Sequence, residues 1–166
     1  GGAAFDVNGA CAGFVMALAA AAPFATRGRA VAVIGSDVMS RITDPDDRGT
    51  AILFGDGAGA VVLSATASPA AAGAVEGDAR TTRGIYGSIL AADGSFGDIL
   101  CAKSGTANPP TPESLAKGEH LVSMAGKEVF KLAVRYLGEI NEKMLEQIGL
   151  GAADVDYFIS HQANKR

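Results

Sequence analysis

Residues 10–25 form an uncharged apolar run, ACAGFVMALAAAAPFA, which constrains the fold more than any other part of the sequence. The run has no positive charge on its N-terminal side and is interrupted by Pro23, which argues against a signal peptide or a membrane span. We expect a helix over residues 12–26. A helix that is apolar on all its faces must be covered on all its faces, so the sequence predicts a buried core helix.

Strand patterns flank this helix on both sides. Residues 3–7 and 30–35 have the short apolar character of strands, and a third strand is predicted over residues 58–64, after the glycine-dense segment FGDGAG at 54–59. The order strand, helix, strand implies a βαβ unit with a largely parallel sheet that is covered on both faces. The sequence therefore predicts an α/β protein.

The best helix pattern in the chain covers residues 124–148. Its apolar residues recur every three or four positions, charged residues occupy the other faces, and Gly149 provides a C-terminal stop. Glu139 and Lys143 have the spacing of an i,i+4 ion pair. Elsewhere we expect strands over residues 85–92 and 155–159, loops over residues 41–50 and 102–119, and a connection between two halves over residues 65–81.

Composition excludes several classes of protein. The chain has 166 residues, 48% of them hydrophobic, which suits a globular core, and its net charge of −4 comes without a basic stripe for nucleic acid or an anionic membrane. Its two cysteines, Cys11 and Cys101, do not suggest a disulfide framework, so we expect a reducing, cytoplasmic setting. The chain begins without methionine and ends directly after a motif, and we expect it to be part of a longer protein.

Cys11 is the strongest candidate for chemistry. It lies where the first predicted strand passes into the apolar helix, and a thiolate at a helix N-terminus is stabilised by unpaired backbone N–H groups and by the helix dipole. The alternative is a small buried hydrophobe, the commonest role of a free cysteine. Cys101 has no clear helix start beside it and is expected to be structural.

The other candidates are two histidines and two loops. His161 follows a predicted strand, at the end where open α/β sheets place their sites, which suggests a catalytic role. The alternative is an ordinary loop histidine. His120 is expected to be exposed and without function. The loop DPDDRGT at 44–50 fails the EF-hand spacing, which leaves Arg48 available to an anionic ligand. The glycines at 55–59 match no phosphate-binding loop and are expected to let backbones approach closely. No metal-ligand spacing is present, so no metal is expected.

Five motifs together resemble the β-ketoacyl-acyl carrier protein synthase III family. They are DVNGACAGF at 6–14, DPDDRGT at 44–50, FGDGAGA at 54–60, MAG at 124–126 and HQAN at 161–164. The resemblance covers nearly the whole chain and implies the layered, thiolase-like α/β fold, with two similar halves, in a homodimer. The chain would hold the central part of that fold: residues 1–68 from the N-terminal half, with the nucleophile, and residues 69–166 from the C-terminal half, with the histidine motif.

The same resemblance implies an acyltransferase that starts fatty acid synthesis. Such an enzyme condenses an acyl-CoA primer, often acetyl-CoA, with malonyl-acyl carrier protein by decarboxylation, through an acyl-cysteine. Cys11 would take the acyl group, and His161 would assist the decarboxylation. Coenzyme A enters as a substrate thioester, and no resident cofactor is implied. The remaining site residues implied are Arg48, Gly126, Phe130, Ala163 and Asn164 for coenzyme A and its pantetheine arm, Leu53 and Val122 for the acyl pocket, and Arg166 for the carrier protein.

The chain departs from the family in two respects. The family's catalytic asparagine lies beyond the histidine motif, so Asn164 is not its counterpart, and Lys127 stands where the family often has asparagine. We therefore expect that the 166 residues alone do not complete the condensation. Two alternatives stay open: a synthase III relative that serves polyketide or other secondary metabolism, and a non-catalytic subunit that binds carrier protein or stabilises a partner synthase.

Overall fold

The apolar run at residues 10–25 forms a helix in three pieces in the computed structural model, which describes residues 2–65 and 84–163. A 3-10 turn over Ala10–Ala12 leads into helix α1, Gly13–Ala21, and a second 3-10 turn over Ala22–Phe24 follows it. Pro23 lies in the first turn of that last piece, where its missing N–H removes no helical hydrogen bond. The helix predicted over residues 12–26 is confirmed.

The burial predicted for this helix is wrong. Within α1 only Ala21 is buried, while Phe14 and Val15 are 38% and 51% exposed. The helix packs on strand β1, Ala30–Val38, where Gly35 leaves room for the ring of Phe14: a Cβ on Gly35 would lie 3.2 Å from Phe14 Cδ2. The described elements thus cover one side of α1, and apolar side chains on its other sides remain in contact with solvent.

Strand β1 pairs with strand β2, Asp56–Ser64, in a two-stranded sheet. Both strands confirm the predictions for residues 30–35 and 58–64 and extend beyond them. The strand predicted over residues 3–7 is wrong, because this segment joins no sheet ladder. Without it, the predicted βαβ unit is not formed among the described residues.

Helix α4, Gly126–Gln147, confirms the helix predicted over residues 124–148. The chain leaves it through Gly149, whose φ of +68° is left-handed, and the N–H of Leu150 donates to the carbonyl oxygen of Leu145 at 2.9 Å. Glycine adopts this conformation without a Cβ penalty, which explains the stop. On the surface of α4, the carboxylate of Glu139 approaches Arg135 Nε at 4.0 Å, so its neighbour is the arginine four residues before it.

Four short helices and strands escape sequence-based prediction. Helix α2 covers Arg48–Ala51 and so overlaps the end of the expected loop at 41–50. Strands β3, Leu100–Cys101, and β4, Ser123–Met124, pair antiparallel, with Leu100 opposite Met124. Helix α3, Pro112–Ala116, lies inside the expected loop at 102–119, where the Thr111 hydroxyl oxygen accepts the N–H of Ser114 at 3.1 Å as an N-cap.

Two further predicted strands are wrong. Residues 85–92 and 155–159 form no ladder with any described strand. The segment at 85–92 instead packs on the end of α4, since a Cβ on Gly87 would lie 3.6 Å from Met144 Sδ and 3.8 Å from Ile148 Cγ2. Residues 66–81 of the expected connection lie outside the described residues.

The described residues divide into two compact units, each assembled from three stretches of chain. The first unit draws on Gly1–Ser36, Ala58–Leu90 and Ile140–His161; the second draws on Asp37–Gly57, Ala91–Glu139 and Gln162–Arg166. Among residues 2–65 and 84–163, the buried ones are Ala21 and Val33 in the first unit, and Thr50, Ser104 and Val122 in the second. The boundary predicted between residues 68 and 69 falls outside the described residues. No described helix is both long enough and apolar enough to cross a membrane.

Candidate active site

Cys11 lies at the start of α1, as the sequence predicts. Its thiol is free and exposed, in the 3-10 turn Ala10–Ala12 that precedes the helix. Two backbone bonds close this turn: the N–H of Ala12 donates to the carbonyl oxygen of Gly9 at 3.0 Å, and the N–H of Gly13 donates to that of Ala10. Because the thiol is exposed, the role of a small buried hydrophobe does not fit it.

The backbone immediately before Cys11 is strained. Ala10 has a φ of +45°, and it is the one left-handed residue other than glycine in the part of the chain that the structure describes. For a residue with a Cβ this conformation costs roughly 1–2 kcal/mol, and such strain clusters at active sites. Gly9 packs tightly against α1, because a Cβ there would collide with Met16 Sδ and lie 3.1 Å from Gly13 Cα. The turn therefore has little freedom to move Cys11 away from the helix start.

This position gives a thiol the surroundings that a nucleophile needs. The N-terminus of a helix is the positive end of the helix dipole. Negative charge that develops there, such as the oxyanion that forms when a thiolate attacks a carbonyl carbon, is stabilised by this dipole and by nearby backbone N–H groups. The arrangement suits the transfer of an acyl group.

His161 belongs to the same compact unit as Cys11, at the end of the stretch Ile140–His161. Its side chain is exposed. The strand-end position predicted for it is wrong, since the residues before it form no strand, and Tyr157 and Ile159 are 87% and 90% exposed. The fold nevertheless brings the two predicted catalytic residues into one unit from opposite ends of the chain.

In the second unit, Arg48 is the first residue of helix α2 and Leu53 lies two residues beyond its end. The Asp47 carboxylate caps this helix: Oδ1 accepts the N–H of Gly49 at 2.9 Å, and Oδ2 accepts the hydroxyl of Thr50 at 2.8 Å. The Thr50 hydroxyl, followed by the Gly49 N–H, holds the pKa of the Asp47 carboxyl below its ordinary value. The side chain of Arg48, in the first turn of α2, is exposed.

Val122, Gly126 and Phe130, three of the other predicted contacts, lie at or near the start of α4, in the second unit. Val122 is buried, and its N–H donates to the carbonyl oxygen of Ile42 at 2.7 Å. Gly126 is the first residue of α4, and Phe130, one turn later, is exposed. Ala163 is exposed, whereas Asn164 and Arg166 lie outside the described residues.

Asp56 has a structural role that the sequence does not reveal. Its Oδ1 accepts the N–H of Ser40 at 2.8 Å, and its Oδ2 accepts the Ser40 hydroxyl at 2.6 Å. These bonds, the hydroxyl foremost, lower the pKa of the Asp56 carboxyl. The close backbone approach predicted for the surrounding glycines is wrong, because Cβ atoms on Gly55, Gly57 and Gly59 would meet no described atom within 4 Å.

His120 is not the exposed residue that the sequence predicts. It is half-buried, and its Nδ1 has no hydrogen-bond partner among the described residues. Cys101 is half-buried in β3, with its Sγ 3.9 Å from Ser123 Oγ. Across residues 2–65 and 84–163, no three side chains of histidine, cysteine, aspartate or glutamate come together in a way that could hold a metal ion.

Known proteins resemble this chain along almost its whole length. The family model of 3-oxoacyl-(acyl-carrier-protein) synthase III matches residues 5–82. A β-ketoacyl-(acyl-carrier-protein) synthase III from Coxiella burnetii is 45% identical over 165 residues, which are 98% of this chain and 45% of the relative. Another, from Desulfitobacterium hafniense, is 44% identical over 167 residues, which are 99% of this chain and 46% of the relative.

The fold agrees with these sequence matches. The crystal structure of 3-oxoacyl-(acyl-carrier-protein) synthase III from Aquifex aeolicus has a TM-score of 0.71 and 35% identity, over 96% of this chain and 44% of that one. The likeness places the chain in the thiolase-fold class and confirms the predicted layered α/β fold. The chain spans a little under half the length of the curated relatives it matches. Over nearly its whole length the chain is similar to members of the β-ketoacyl-acyl carrier protein synthase III family.

Proposed function

We propose that this chain supplies the acyl-accepting cysteine and the histidine of a condensing enzyme. In the proposed reaction the acyl group of a coenzyme A thioester is transferred to Cys11 and joined to malonyl-acyl carrier protein, which starts fatty acid synthesis. The observation that carries the proposal is the exposed Cys11 thiol at the start of α1, directly after the strained backbone of Ala10. Relatives named β-ketoacyl-(acyl-carrier-protein) synthase III align with 98% of the chain, which supports the same reaction.

The first half-reaction is an acyl transfer. The Cys11 thiolate attacks the thioester carbonyl carbon, and N–H groups at the helix start hold the oxyanion of the tetrahedral intermediate. The bond from the acyl carbon to the coenzyme A sulfur then breaks, and the released thiolate takes a proton from solvent. In this proposal Arg48 meets the nucleotide phosphates. The pantetheine arm contacts Gly126, Phe130, Ala163 and Asn164, and the acyl chain contacts Leu53 and Val122.

The second half-reaction forms the carbon–carbon bond. The malonyl thioester releases its carboxylate as carbon dioxide, and the electron pair that remains forms an enolate whose oxygen accepts a hydrogen bond from His161. The enolate carbon attacks the acyl carbon on Cys11, and the Cys11 thiolate leaves. Arg166 is the proposed contact of the acidic carrier protein. The scheme needs no resident cofactor, and we place the protein in the cytoplasm as a homodimer.

Labelling with radioactive acetyl-CoA tests the first half-reaction. The protein is incubated with the thioester and denatured, and the labelled peptide is identified by mass spectrometry. We expect label on Cys11, its loss in Cys11→Ala and its retention in Cys101→Ala, because Cys101 is a half-buried thiol in β3. Equal label on the wild type and on Cys11→Ala would rule out this nucleophile and favour a non-catalytic, carrier-protein-binding role.

A further inference from the structure

The Asp47 carboxylate forms its hydrogen bonds within α2 and not with the guanidinium of the adjacent Arg48. Both of its oxygens are engaged inside α2, one with the N–H of Gly49 at 2.9 Å and the other with the hydroxyl of Thr50 at 2.8 Å. Its backbone carbonyl oxygen also accepts the N–H of Ala51 at 2.8 Å. No ion pair joins Asp47 to Arg48 in the part of the chain that the structure describes, and the exposed side chain of Arg48 is available to an external anion.

Thr50 is bonded both to the cap of α2 and to the residues that follow the helix. It is the most deeply buried side chain among the described residues, with 1% of its surface exposed. Its carbonyl oxygen accepts the N–H of Leu53 at 2.9 Å and the N–H of Phe54 at 3.2 Å. Thr50 therefore joins the two: its hydroxyl binds the carboxylate that caps α2, and its carbonyl oxygen binds the backbone of Leu53.

Arg48 and Leu53 thus depend on the same turn of helix. In the sequence, Arg48 lies between Asp47, whose carboxylate caps the turn, and Gly49, whose N–H donates to that carboxylate. Leu53 lies just beyond the turn and is bonded to Thr50, the residue that the carboxylate holds. A shift of α2 would therefore move both residues together.

We propose that Asp47 and Thr50 are positioning residues for acyl-coenzyme A, which fix Arg48 for the nucleotide and Leu53 for the acyl chain through the turn α2. The inference rests on the proposed function and deepens it, because it assigns substrate affinity and primer choice to two residues that need not touch the substrate. A cap that only stabilised the fold would behave differently. Its loss would reduce the amount of folded protein, but the folded molecules would keep their affinity for substrate and their primer preference.

Kinetics of acyl transfer to Cys11 separate these two roles. In Thr50→Val the side chain keeps its shape and loses the hydroxyl that donates to Asp47, and we expect KM for acetyl-CoA to rise roughly 10-fold with a smaller change in kcat. Thr50→Ser keeps the hydroxyl and should restore the wild-type KM. The ratio of rates with acetyl-CoA and hexanoyl-CoA should change in Thr50→Val, because Leu53 moves, and should return to the wild-type value in Thr50→Ser.

A second pair of variants avoids any change in the protein interior. Asp47 and Asp46 are both exposed, so Asp47→Ala and Asp46→Ala remove the same charge one residue apart. Of the two, only the Asp47 side chain caps α2, and we expect only Asp47→Ala to raise KM. An unchanged KM and an unchanged primer ratio in both Thr50→Val and Asp47→Ala overturn the inference.

Binding of coenzyme A tests the inference without relying on acyl transfer to Cys11. Calorimetry measures the affinity of coenzyme A for Cys11→Ala and for the same protein with Asp47→Ala or Asp46→Ala added. We expect Asp47→Ala to weaken binding roughly 10-fold relative to Asp46→Ala. If the wild type gains no label from acetyl-CoA, the proposed chemistry fails, but the comparison of coenzyme A affinities still decides the inference. Equal affinities of the two double variants, or no binding of coenzyme A at all, refute the inference.

Discussion

Replacing Gly9 with alanine tests how tightly the turn before Cys11 is held. The new Cβ would collide with Met16 Sδ and would lie 3.1 Å from Gly13 Cα and 3.2 Å from Gly13 N. The sulfur can swing away because a methionine side chain is flexible, whereas the Gly13 atoms belong to the backbone of α1. Since carbon atoms in ordinary contact are about 3.5–4.0 Å apart, the turn and the helix must separate by several tenths of an ångström.

Overpacking of this kind costs about 1–3 kcal/mol of unfolding free energy. In a chain of this length each kcal/mol lowers Tm by about 2–4 °C, so we expect Gly9→Ala to melt roughly 2–12 °C below the wild type. The displaced thiol also moves relative to the N–H groups of the helix start. Acetyl transfer to Cys11 should therefore slow by roughly 10-fold, measured as the initial rate of labelling of the folded protein.

Gly59→Ala is the matched control, because a Cβ at Gly59 in β2 would meet no described atom within 4 Å. We expect this variant to melt no lower than the wild type and to be labelled at the same rate. If Gly9→Ala melts and labels as Gly59→Ala does, the turn is not held by close packing, and the reasoning about Cys11 placement is refuted.

Two further predictions concern Asp56 and helix α4. The pKa of Asp56 is lowered by its bonds with Ser40, so these bonds stabilise the fold above the unfolded pKa of about 3.9 and lose their effect as the pH falls through the lower folded pKa. The difference in urea midpoint between the wild type and Asp56→Asn should be constant from about pH 7 to 5 and shrink below about pH 4; a difference unchanged at low pH contradicts this linkage. Gly149→Ala should lower the unfolding free energy by roughly 1–2 kcal/mol, because φ there is +68°. Gly138→Ala, within α4 and with open space at its Cβ, should raise the unfolding free energy by up to about 1 kcal/mol. Chemical denaturation measures both variants, and changes of the same sign in their unfolding free energies would contradict the assignment.

The elements that sequence reasoning predicts correctly are those specified by neighbouring residues. Helix α4 follows from apolar spacing and from Gly149, which lies two residues beyond its end. Strand β1 follows from a continuous apolar run between glycines. The place of Cys11 at a helix start is equally local, since the apolar run begins at the same residues.

The wrong predictions concern features that depend on distant partners. An apolar segment becomes a strand only when another strand stands beside it, and residues 3–7, 85–92 and 155–159 have no such partner among the described residues. The bonds between Ser40 and Asp56 join residues far apart in the chain, and neither residue reveals its partner. The half-buried state of His120 likewise depends on how the chain folds back around it. The roles of the site residues come from the set of motifs rather than from any single position.

The left-handed backbone at Ala10 also limits the sequence variation that the turn before Cys11 can accept. An exposed position with only a methyl group would ordinarily tolerate most side chains. At a φ of +45°, however, glycine, asparagine and aspartate fit most readily, whereas valine, isoleucine and threonine are strongly disfavoured. Mutational tolerance beside the nucleophile is thus governed by backbone conformation, and a library of variants at this position would be depleted in β-branched residues although the position is open to solvent.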